Sequence, residues 1–406
     1  MKKNINKFLI YYLFILFVFG TFYLYEKHTV GNDSTISEWI INYSGGFTKR
    51  GIIGHLCIYF AEALSLNLRE SILIFQISIL CTYFVVLYYF FKDLEVNKLI
   101  LLSIFTPIFI LYPIAEIEVL ARKEIFIFCL YILYLNIKNN FFRTFYKITF
   151  LPLAVLIWEP VIFFFPFWLS IDLFNENIFK PNLKFFKNLI IYIPAVVVAI
   201  FIAFNPMTIE NHNAMSLYLK TNFNEICYMS CALLKDKSTI YDQFAANFSG
   251  YSFPIFLRYF LVILIGFGPF FTLNYYSMIN NNNKIIFFNN FNNFLSPILI
   301  LLSPTIILFA MGSDWGRWVN ISYTFSVLFY FSLYKKNIIK FNNKLFKNSF
   351  ILLLDNKKFF IIVFIIFCFG WNPKTSYTGD VGSKPAYQIP RKAIKIIYYK
   401  YIKNNY

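Results

Sequence analysis

FLIYYLFILFVFGTFYLY occupies residues 8–25 and carries no charged side chain. An apolar run of this length is typical of a helix that crosses the hydrocarbon core of a bilayer. Lys2, Lys3 and Lys7 precede the run, and Glu26-Lys27-His28 follow it without a small-residue cleavage site. The sequence therefore predicts an uncleaved first span with its N-terminus in the cytoplasm.

Composition extends this prediction to the whole chain. Its 406 residues are 59% hydrophobic and 22% aromatic, and only 14% are charged, which is far outside the range of soluble domains. We interpret residues 1–406 as a single integral membrane domain. The formal net charge of +17 would favour nucleic acid in a soluble protein, but in a membrane protein basic loops report orientation, and no nucleic acid is expected as a partner.

The apolar runs predict an all-α polytopic fold with about eleven transmembrane or half-membrane helices. After residues 8–25 they are residues 71–91, 99–115, 125–137, a broken pair within 148–174, 189–204, 254–273, 295–310, 319–334 and 359–369. Lys138, Arg143 and Lys147, and the lysines between 335 and 358, then fall in cytoplasmic loops. The basic tail, residues 371–406, falls outside; either it lies on anionic headgroups or one crossing is miscounted.

Two long loops are predicted on the periplasmic side, residues 26–70 and residues 205–252. Within the first, residues 52–66 are apolar but too short to cross, and we expect a helix lying in the interface. The loop also contains the stretch Asn42-Tyr43-Ser44-Gly45-Gly46-Phe47-Thr48-Lys49-Arg50-Gly51. Glycine amides beside two cations favour phosphate or diphosphate binding, and the alternative is a basic turn at the membrane surface.

Glu159 interrupts an otherwise apolar segment. It lies in Trp158-Glu159-Pro160, and a proline there removes a helical hydrogen bond. We expect two half-length helices that meet near Glu159 at the outer side. A carboxylate in such a segment is a candidate functional residue.

The number and positions of the cysteines and histidines do not predict a metal site. Cys227 and Cys231 lie in a polar loop, where they either form a disulfide or remain unpaired on adjacent helical turns. With only three histidines and no Cys/His cluster expected, a zinc site is not predicted.

With this topology, four charged groups collect at the outer side. They are Asp33 and Glu38 with Lys49 and Arg50; Glu116, Glu118, Arg122, Lys123 and Glu124; Glu159; and Asp314 with Arg317. Each group has a simpler explanation, such as an exposed helix end at Arg122-Lys123-Glu124 or an ion pair that fixes a turn at residues 312–318.

The group as a whole fits a lipid-diphosphate sugar donor. Cations bind the departing diphosphate, and the candidates are Lys49, Arg50, Arg122, Lys123 and Arg317. A carboxylate accepts the proton of the attacking hydroxyl, and the candidates are Glu159, Asp33, Glu38 and Asp314. We expect burial to raise the pKa of Glu159 and a nearby arginine to lower it again, which would suit a base near neutral pH.

Four short motifs carry a resemblance to a known family. They are Gly45 to Gly51 with Gly54, Arg122-Lys123-Glu124, Trp158-Glu159, and Asp314-Trp315-Gly316-Arg317-Trp318. Together they resemble bacterial O-antigen and capsule repeat-unit polymerases, over about Tyr43 to Trp318. The topology is also similar to that of multi-span GT-C glycosyltransferases. In the family, histidine is frequent at the position of Trp158, and an aspartate lies nearer the glycines, where this chain has Asn42.

The resemblance implies a glycosyltransferase that joins undecaprenyl-diphosphate-linked repeat units into O-antigen of lipopolysaccharide or into capsule. It implies glycan or lipid contacts at Gly45, Gly46, Trp158, Trp315 and Trp318, an active site at the periplasmic face of the inner membrane, and no cofactor. The implied partners are the lipid-linked glycan, the bilayer, a chain-length regulator and a flippase.

Two other functions remain open. A GT-C transferase would add one sugar from a polyprenyl monophosphate. A transporter or flippase for the same lipid-linked glycan would line a path through several spans with charges and would often contain a repeat. This chain collects its charges at one face and has no visible internal repeat, which favours an enzyme.

Overall fold

The computed structural model describes residues 2–30, 33–176, 178, 180–235, 240–280, 291–342, 356–379, 381–382 and 384–403. This part of the chain is mostly helical, as predicted. It contains two short strands, β1 (Ser277–Ile279) and β2 (Ile339–Phe341), which pair antiparallel with Met278 opposite Lys340. Much of the predicted lysine-rich loop at 335–358 lies outside the described residues.

The described α-helices are numbered in chain order: α1 (Lys2–His28), α2 (Ser34–Ser37), α3 (Gly51–Leu64), α4 (Leu68–Phe91), α5 (Lys98–Phe105), α6 (Tyr112–Ala115), α7 (Ile117–Leu120), α8 (Glu124–Asn136), α9 (Asn140–Ile157), α10 (Phe165–Asn175), α11 (Leu183–Ile190), α12 (Ile193–Phe204), α13 (Ile209–Phe223), α14 (Ile240–Phe248), α15 (Phe253–Tyr275), α16 (Leu295–Leu302), α17 (Ile306–Met311), α18 (Trp315–Lys335), α19 (Lys357–Phe369) and α20 (Pro385–Ile397). Short 3-10 helices cover Glu159–Phe164, Ala232–Lys235 and Ser303–Thr305.

Within the described ranges, four helical segments are long and apolar enough to cross a membrane. They are Asn6–His28, Leu68–Phe91, Leu183–Phe204 and Phe253–Tyr275. Large apolar side chains on their surfaces face outward; on α1, for example, Tyr11 and Phe14 are more than half exposed. Apolar side chains that cover an outer helix surface indicate a lipid environment. The chain is therefore a membrane protein.

The core is built around α18. Its residues are buried from Trp315 to Leu333, and it packs against α8, α10, α15, α16 and α17. A helix at 319–334 is confirmed, although it begins earlier, and its crossing of the membrane stays a prediction. The prediction of a turn through Trp318 is wrong, because Trp315 to Trp318 form the first turn of α18 after Asp314.

Two spans predicted as single helices are interrupted at prolines. The run at 99–115 breaks after α5 at Pro107, where the carbonyl groups of Ile108 and Phe109 accept hydrogen bonds from Asn320 Nδ2 at 2.8 and 3.1 Å. Asn320 thus pairs backbone groups that a helix would have paired internally. The run at 295–310 breaks into α16 and α17 around Pro304.

Helices α9 and α10 form a hairpin with Glu159 at its tip. The predicted break is confirmed, because α9 ends at Ile157 and a 3-10 helix begins at Glu159. The prediction of half-length arms is wrong for α9, which begins at Asn140 and is 18 residues long, about 27 Å, whereas α10, with 11 residues, is a half-length helix. Lys147, predicted in a cytoplasmic loop, is buried in α9 and bonds Asp172 of α10 at 2.8 Å. This pair closes the open end of the hairpin.

The basic tail packs at the same end of the molecule as residues 33–50. Tyr23 of α1 donates a hydrogen bond to the carbonyl group of Ile389 in α20, and Lys400 pairs with Glu26 at 3.0 Å. The tail is therefore attached to the protein beside the end of α1, and the side of the membrane on which it lies stays a prediction. Helix α3 is confirmed as a helix, and its location in the membrane interface stays a prediction.

Candidate functional site

The glycine-rich stretch forms a tight turn against α13. The Gly46 amide donates to the Tyr43 carbonyl group at 3.0 Å, and Gly46 has φ of +113°, a conformation that favours glycine. A Cβ atom at Gly45 would lie 2.0 Å from the Asn211 carbonyl oxygen of α13. The two glycines therefore permit close packing, and the Gly46 amide, predicted to face a phosphate, is used inside the turn.

Arg50 connects two carboxylates that are far apart in the sequence. Its Nε and Nη2 donate to the two carboxylate oxygens of Glu159 at 2.7 and 2.8 Å. Its Nη1 donates to Glu38 Oε1 at 2.8 Å. The Arg50 backbone is left-handed with φ of 62°, which costs a residue other than glycine about 1 kcal/mol. Lys123 Nζ donates to the Arg50 carbonyl group at 2.7 Å and helps to hold this conformation.

Arg122 and Lys123 lie inside the protein. The Lys123 side chain is 1% exposed and that of Arg122 is 11% exposed, which excludes the exposed helix end considered above. Arg122 Nη1 lies 3.6 Å from Glu38 Oε2 and 3.2 Å from Ser230 Oγ. The two cations therefore enclose Glu38 and the Arg50 backbone from the side of α8.

Arg317 closes the site from the first turn of α18. It pairs with Asp314 at 3.0 Å and donates a hydrogen bond to Glu124. Its guanidinium lies 4.9 Å from the centre of the Trp318 ring, within the range of a cation–π contact.

We call these residues the charged network: Glu38, Lys49, Arg50, Arg122, Lys123, Glu124, Glu159, Asp314 and Arg317. The convergence of residues from four separate segments is as the sequence analysis expects. With all side chains ionised, five cations face four carboxylates. The network therefore has one positive charge in excess.

Glu38 is ionised in this environment. Burial raises the pKa of this fully buried carboxyl, but Arg122, Arg50 and Arg317 outweigh burial, and the pKa is held well below its usual range. Its charge is therefore balanced by guanidinium groups on more than one side, so the carboxylate holds arginines in place and is a weak proton acceptor.

The expectation for Glu159 is wrong. Burial raises its pKa, as predicted, but Arg50 and Lys49 lower it further, to about 2. The reason is the bidentate bond from Arg50, which is much stronger for the carboxylate than for the neutral acid. Glu159 is therefore unsuited to act as a base near neutral pH in this arrangement, and its contacts assign it to positioning Arg50.

Lys123 is a cation of the charged network whose pKa is lowered. Burial lowers its pKa, Glu38 raises it and Arg50 lowers it again, with the result at about 8. A lysine with this pKa exchanges its proton more readily than a surface lysine does. Lys123 can therefore act as an anion contact or take part in proton transfer.

Several buried N–H donors of the site lack a hydrogen-bond acceptor within the described part of the protein. They are Arg122 Nε, Arg317 Nε, Trp158 Nε1 and Trp318 Nε1. Buried donors are normally paired, and an unpaired group calls for an explanation such as a ligand. Two carboxylate oxygens of the network, Glu38 Oε2 and Glu124 Oε2, also lack a hydrogen-bond partner there, so the excess positive charge, more than the unused donors, favours an anionic ligand.

The three tryptophans assigned to glycan or lipid are buried. Trp158 is 0% exposed and Trp318 is 7% exposed, and their rings lie 6.4 Å apart beside Arg317. Trp315 packs against Tyr251 and other aromatic residues, and its Nε1 donates to the Phe309 carbonyl group. A sugar can stack on these rings only if neighbouring side chains move, and Trp315 lies in an aromatic cluster outside the charged network.

Some predicted site residues lie elsewhere. Asp33 accepts a hydrogen bond from the Thr35 amide as the N-cap of α2 and pairs with Lys27 at 2.6 Å. Glu116 pairs with Lys374 of the tail at 2.8 Å, and Glu118 is exposed. Lys49 is at the rim of the network, 45% exposed and 3.7 Å from Glu159.

Sequence reasoning missed the contribution of the tail. The Gly316 amide donates to the Thr375 carbonyl group at 3.1 Å, and the Tyr377 amide donates to the Ser313 carbonyl group at 2.8 Å. Residues 313–316 are thereby held beside Arg317. The tail has no sequence motif that indicates this contact; its only signal was its predicted location on the outer side.

Cys227 and Cys231 form a disulfide, one of the two outcomes left open. The expectation of no Cys/His cluster is wrong, since ligand-type atoms of His212, Cys227 and Cys231 lie within 4.8 Å of one another. Disulfide-bonded sulfurs are not the thiolates that bind zinc. The same loop carries Ser230, so the disulfide supports the segment that contacts Arg122.

Comparisons with known proteins found no relationship: no family model, no curated protein and no solved structure matches this chain.

Proposed function

We propose that this protein is a membrane glycosyltransferase of the surface-polysaccharide polymerase type. In this proposal it transfers an oligosaccharide from one undecaprenyl-diphosphate carrier to a sugar hydroxyl of a second lipid-linked unit. The GT-C-like topology, the count of about eleven membrane segments and the location in a bacterial inner membrane belong to the same proposal.

The observation that carries the proposal is the composition of the charged network. It combines one excess positive charge with unpaired N–H donors on Arg122 and Arg317. A diphosphate supplies negative charge and several acceptor oxygens, so it matches both features. Next to the network, the outward-facing apolar surfaces of α1 and α4 are suited to a polyprenyl tail.

The proposed reaction forms a glycosidic bond between the acceptor oxygen and the anomeric carbon of the donor sugar. The bond from that carbon to the diphosphate oxygen breaks, and the diphosphate leaves on its lipid while Arg122 and Arg317 stabilise its charge. The hydroxyl proton passes to a carboxylate. We assign this role to Asp314, whose side chain is 27% exposed and, among the described residues, pairs with Arg317 alone.

The disulfide supports an orientation with the charged network outside the cytoplasm. Disulfides persist mainly in oxidising compartments, and the loop that holds this one contacts Arg122 through Ser230. This is the side on which flipped lipid-linked glycans are available.

Turnover by the purified protein tests the proposal. Synthetic undecaprenyl-diphosphate repeat units are supplied, and products are separated on a gel. We expect a ladder with the native chain, loss of the ladder with Asp314→Asn and Glu159→Gln, and a retained ladder with Asp33→Asn, which lies outside the network.

Other outcomes discriminate between the alternatives. Addition of one sugar from a polyprenyl monophosphate, without a ladder, would replace the polymerase by a single-sugar transferase. If neither reaction occurs but the protein moves the lipid-linked glycan across liposome membranes, the enzyme proposal fails in favour of transport.

A further inference from the structure

A separate cavity of about 410 Å³ lies between α1, the α6–α7 segment and the C-terminal tail. None of the residues that line it belongs to the charged network. It is bounded by Tyr23 of α1, Ile114 and Ala115 of α6, and Ile389 of α20. Its size is that of a site for a small ligand or for the polar part of a lipid.

Cations dominate the described lining of this cavity. Lys374, Arg391, Lys392 and Lys395 border it, and no described lining residue is a carboxylate. Glu116, just outside the lining, pairs with Lys374 at 2.8 Å. Burial and then the charge of Lys27 lower the pKa of Lys392; Glu116 raises it, Lys374 lowers it and Glu118 raises it again, so Lys27 and Lys374 repel Lys392 and the two carboxylates only partly compensate. Bound negative charge would relieve this repulsion.

The surroundings of the cavity are membrane-like. Helix α1 is one of the apolar candidate spans, and Tyr23 and Ile114 contribute an apolar wall. Helix α20 buries Ile389 and Ala393 against the protein, whereas Ile394 is 67% exposed. An amphipathic helix with basic and exposed apolar residues is typical of a segment that lies at the bilayer surface.

We propose that this cavity binds the phosphate of a lipid headgroup, which docks the C-terminal tail against α1. The cations bind the phosphate, and the acyl or prenyl chains extend along the outer surface of α1. Anionic phospholipids and prenyl diphosphates both carry such a phosphate group. The test below decides which of these two lipid classes binds. The proposal does not depend on the proposed function, because it concerns binding without turnover.

Lipid titration by native mass spectrometry tests it with the full-length protein in neutral detergent. The probes are phosphatidylglycerol, phosphatidylcholine, farnesyl diphosphate and inorganic phosphate. We expect one saturable site for phosphatidylglycerol or farnesyl diphosphate, with the tighter ligand identifying the source. Lys392→Gln with Lys395→Gln should weaken this binding about tenfold or more.

A matched control removes the same charge from the same tail. Lys384 and Lys403 do not line the cavity, so Lys384→Gln with Lys403→Gln should change the affinity by less than about twofold. An equal loss in both double variants would overturn the cavity as the site. If inorganic phosphate binds as tightly as either lipid, the ligand is not a lipid. If phosphatidylcholine binds as tightly as phosphatidylglycerol, the ligand is not an anionic lipid. Either result would overturn the proposal.

A second variant tests the cavity without changing charge. Ala115→Leu adds three carbon atoms to the wall and should weaken binding while both cations remain. Unchanged binding in this variant would assign the lipid to the outer basic surface of the tail and contradict the proposal.

Discussion

A left-handed backbone at Arg50 places one guanidinium between Glu38 and Glu159, which come from different segments of the chain. The conformation is costly for arginine, so the contacts that it permits must compensate. Glu38 is fully buried and depends on these contacts for its charge. Replacing Arg50 by a neutral residue should therefore lower the stability of the fold in addition to any effect on activity.

Arg50→Gln should lower the free energy of unfolding by about 3 kcal/mol or more, because it leaves a buried carboxylate without its closest cation. The measurement is equilibrium unfolding in mixed micelles. Lys49→Gln is the matched control: Lys49 is half exposed, and its loss should cost less than about 1 kcal/mol. Equal costs for the two variants would contradict the central position assigned to Arg50.

Acid should lower the stability of the folded protein through protonation of Glu159. Its pKa is lowered from 4.5 to about 2 on folding, so the unfolded chain takes up the proton first as pH falls. The stabilisation is complete above about pH 4.5 and is lost toward pH 2. The thermal unfolding temperature should therefore fall more steeply over this window in the native chain than in Glu159→Gln. Parallel curves would show that Glu159 does not contribute.

Among the elements, α3 determines where Arg50 lies, because the helix starts at the next residue. Gly54 of α3 packs on the backbone of the preceding segment: a Cβ atom there would lie 1.9 Å from the Ile41 carbonyl oxygen and 2.5 Å from that of Trp39. Backbone atoms cannot move aside as a flexible side chain can. The close approach of α3 therefore fixes the segment that carries Glu38.

Gly54→Ala should destabilise the protein by about 1–3 kcal/mol, because α3 must move away from the backbone of Ile41. Gly268 of α15 is the matched control, since a Cβ atom there would meet nothing within 4 Å. Gly268→Ala should be neutral or stabilising by up to about 1 kcal/mol. Thermal unfolding followed by a thiol-reactive dye compares the two, and similar destabilisation in both would contradict the packing argument.

At the scale of the whole molecule, α8 and α9 run between two ends, and one of these ends carries the charged network. Helix α8 begins at Glu124 in the charged network, and α9 returns to Glu159 in the same network. The connection at Lys138 therefore lies at the opposite end. Lys384 of the tail lies toward the charged end, near the contacts of Ile389 and Glu26.

Single cysteines introduced at these two positions should react from opposite sides. In a background with Cys81→Ser, which removes the exposed free thiol, Lys384→Cys should be labelled by a membrane-impermeant maleimide in intact cells. Lys138→Cys should be labelled only after permeabilisation. Labelling of both from the same side would refute the two-ended arrangement, and the reverse result would refute the proposed periplasmic site.

Sequence patterns predicted the parts of the site that depend on helix ends. The break at Trp158-Glu159-Pro160 and the charges at Arg122 and Arg317 were found because charges and prolines are rare in apolar segments. The pairing itself could not be predicted: the bidentate bond from Arg50, which lowers the pKa of Glu159, depends on side-chain geometry. The capping role of Asp33 likewise depends on the local backbone.

The tail contacts have a consequence for how the protein is made. Thr375 and Tyr377 hold the start of α18, yet the ribosome adds them about sixty residues after it. During synthesis, α18 is made before the segment that holds residues 313–316 exists. A chain that terminates early can insert its spans but lacks these contacts. The backbone beside Arg317 is thus secured only after residues 375–377 have been made, so that a product truncated between α18 and these residues lacks this support at the site.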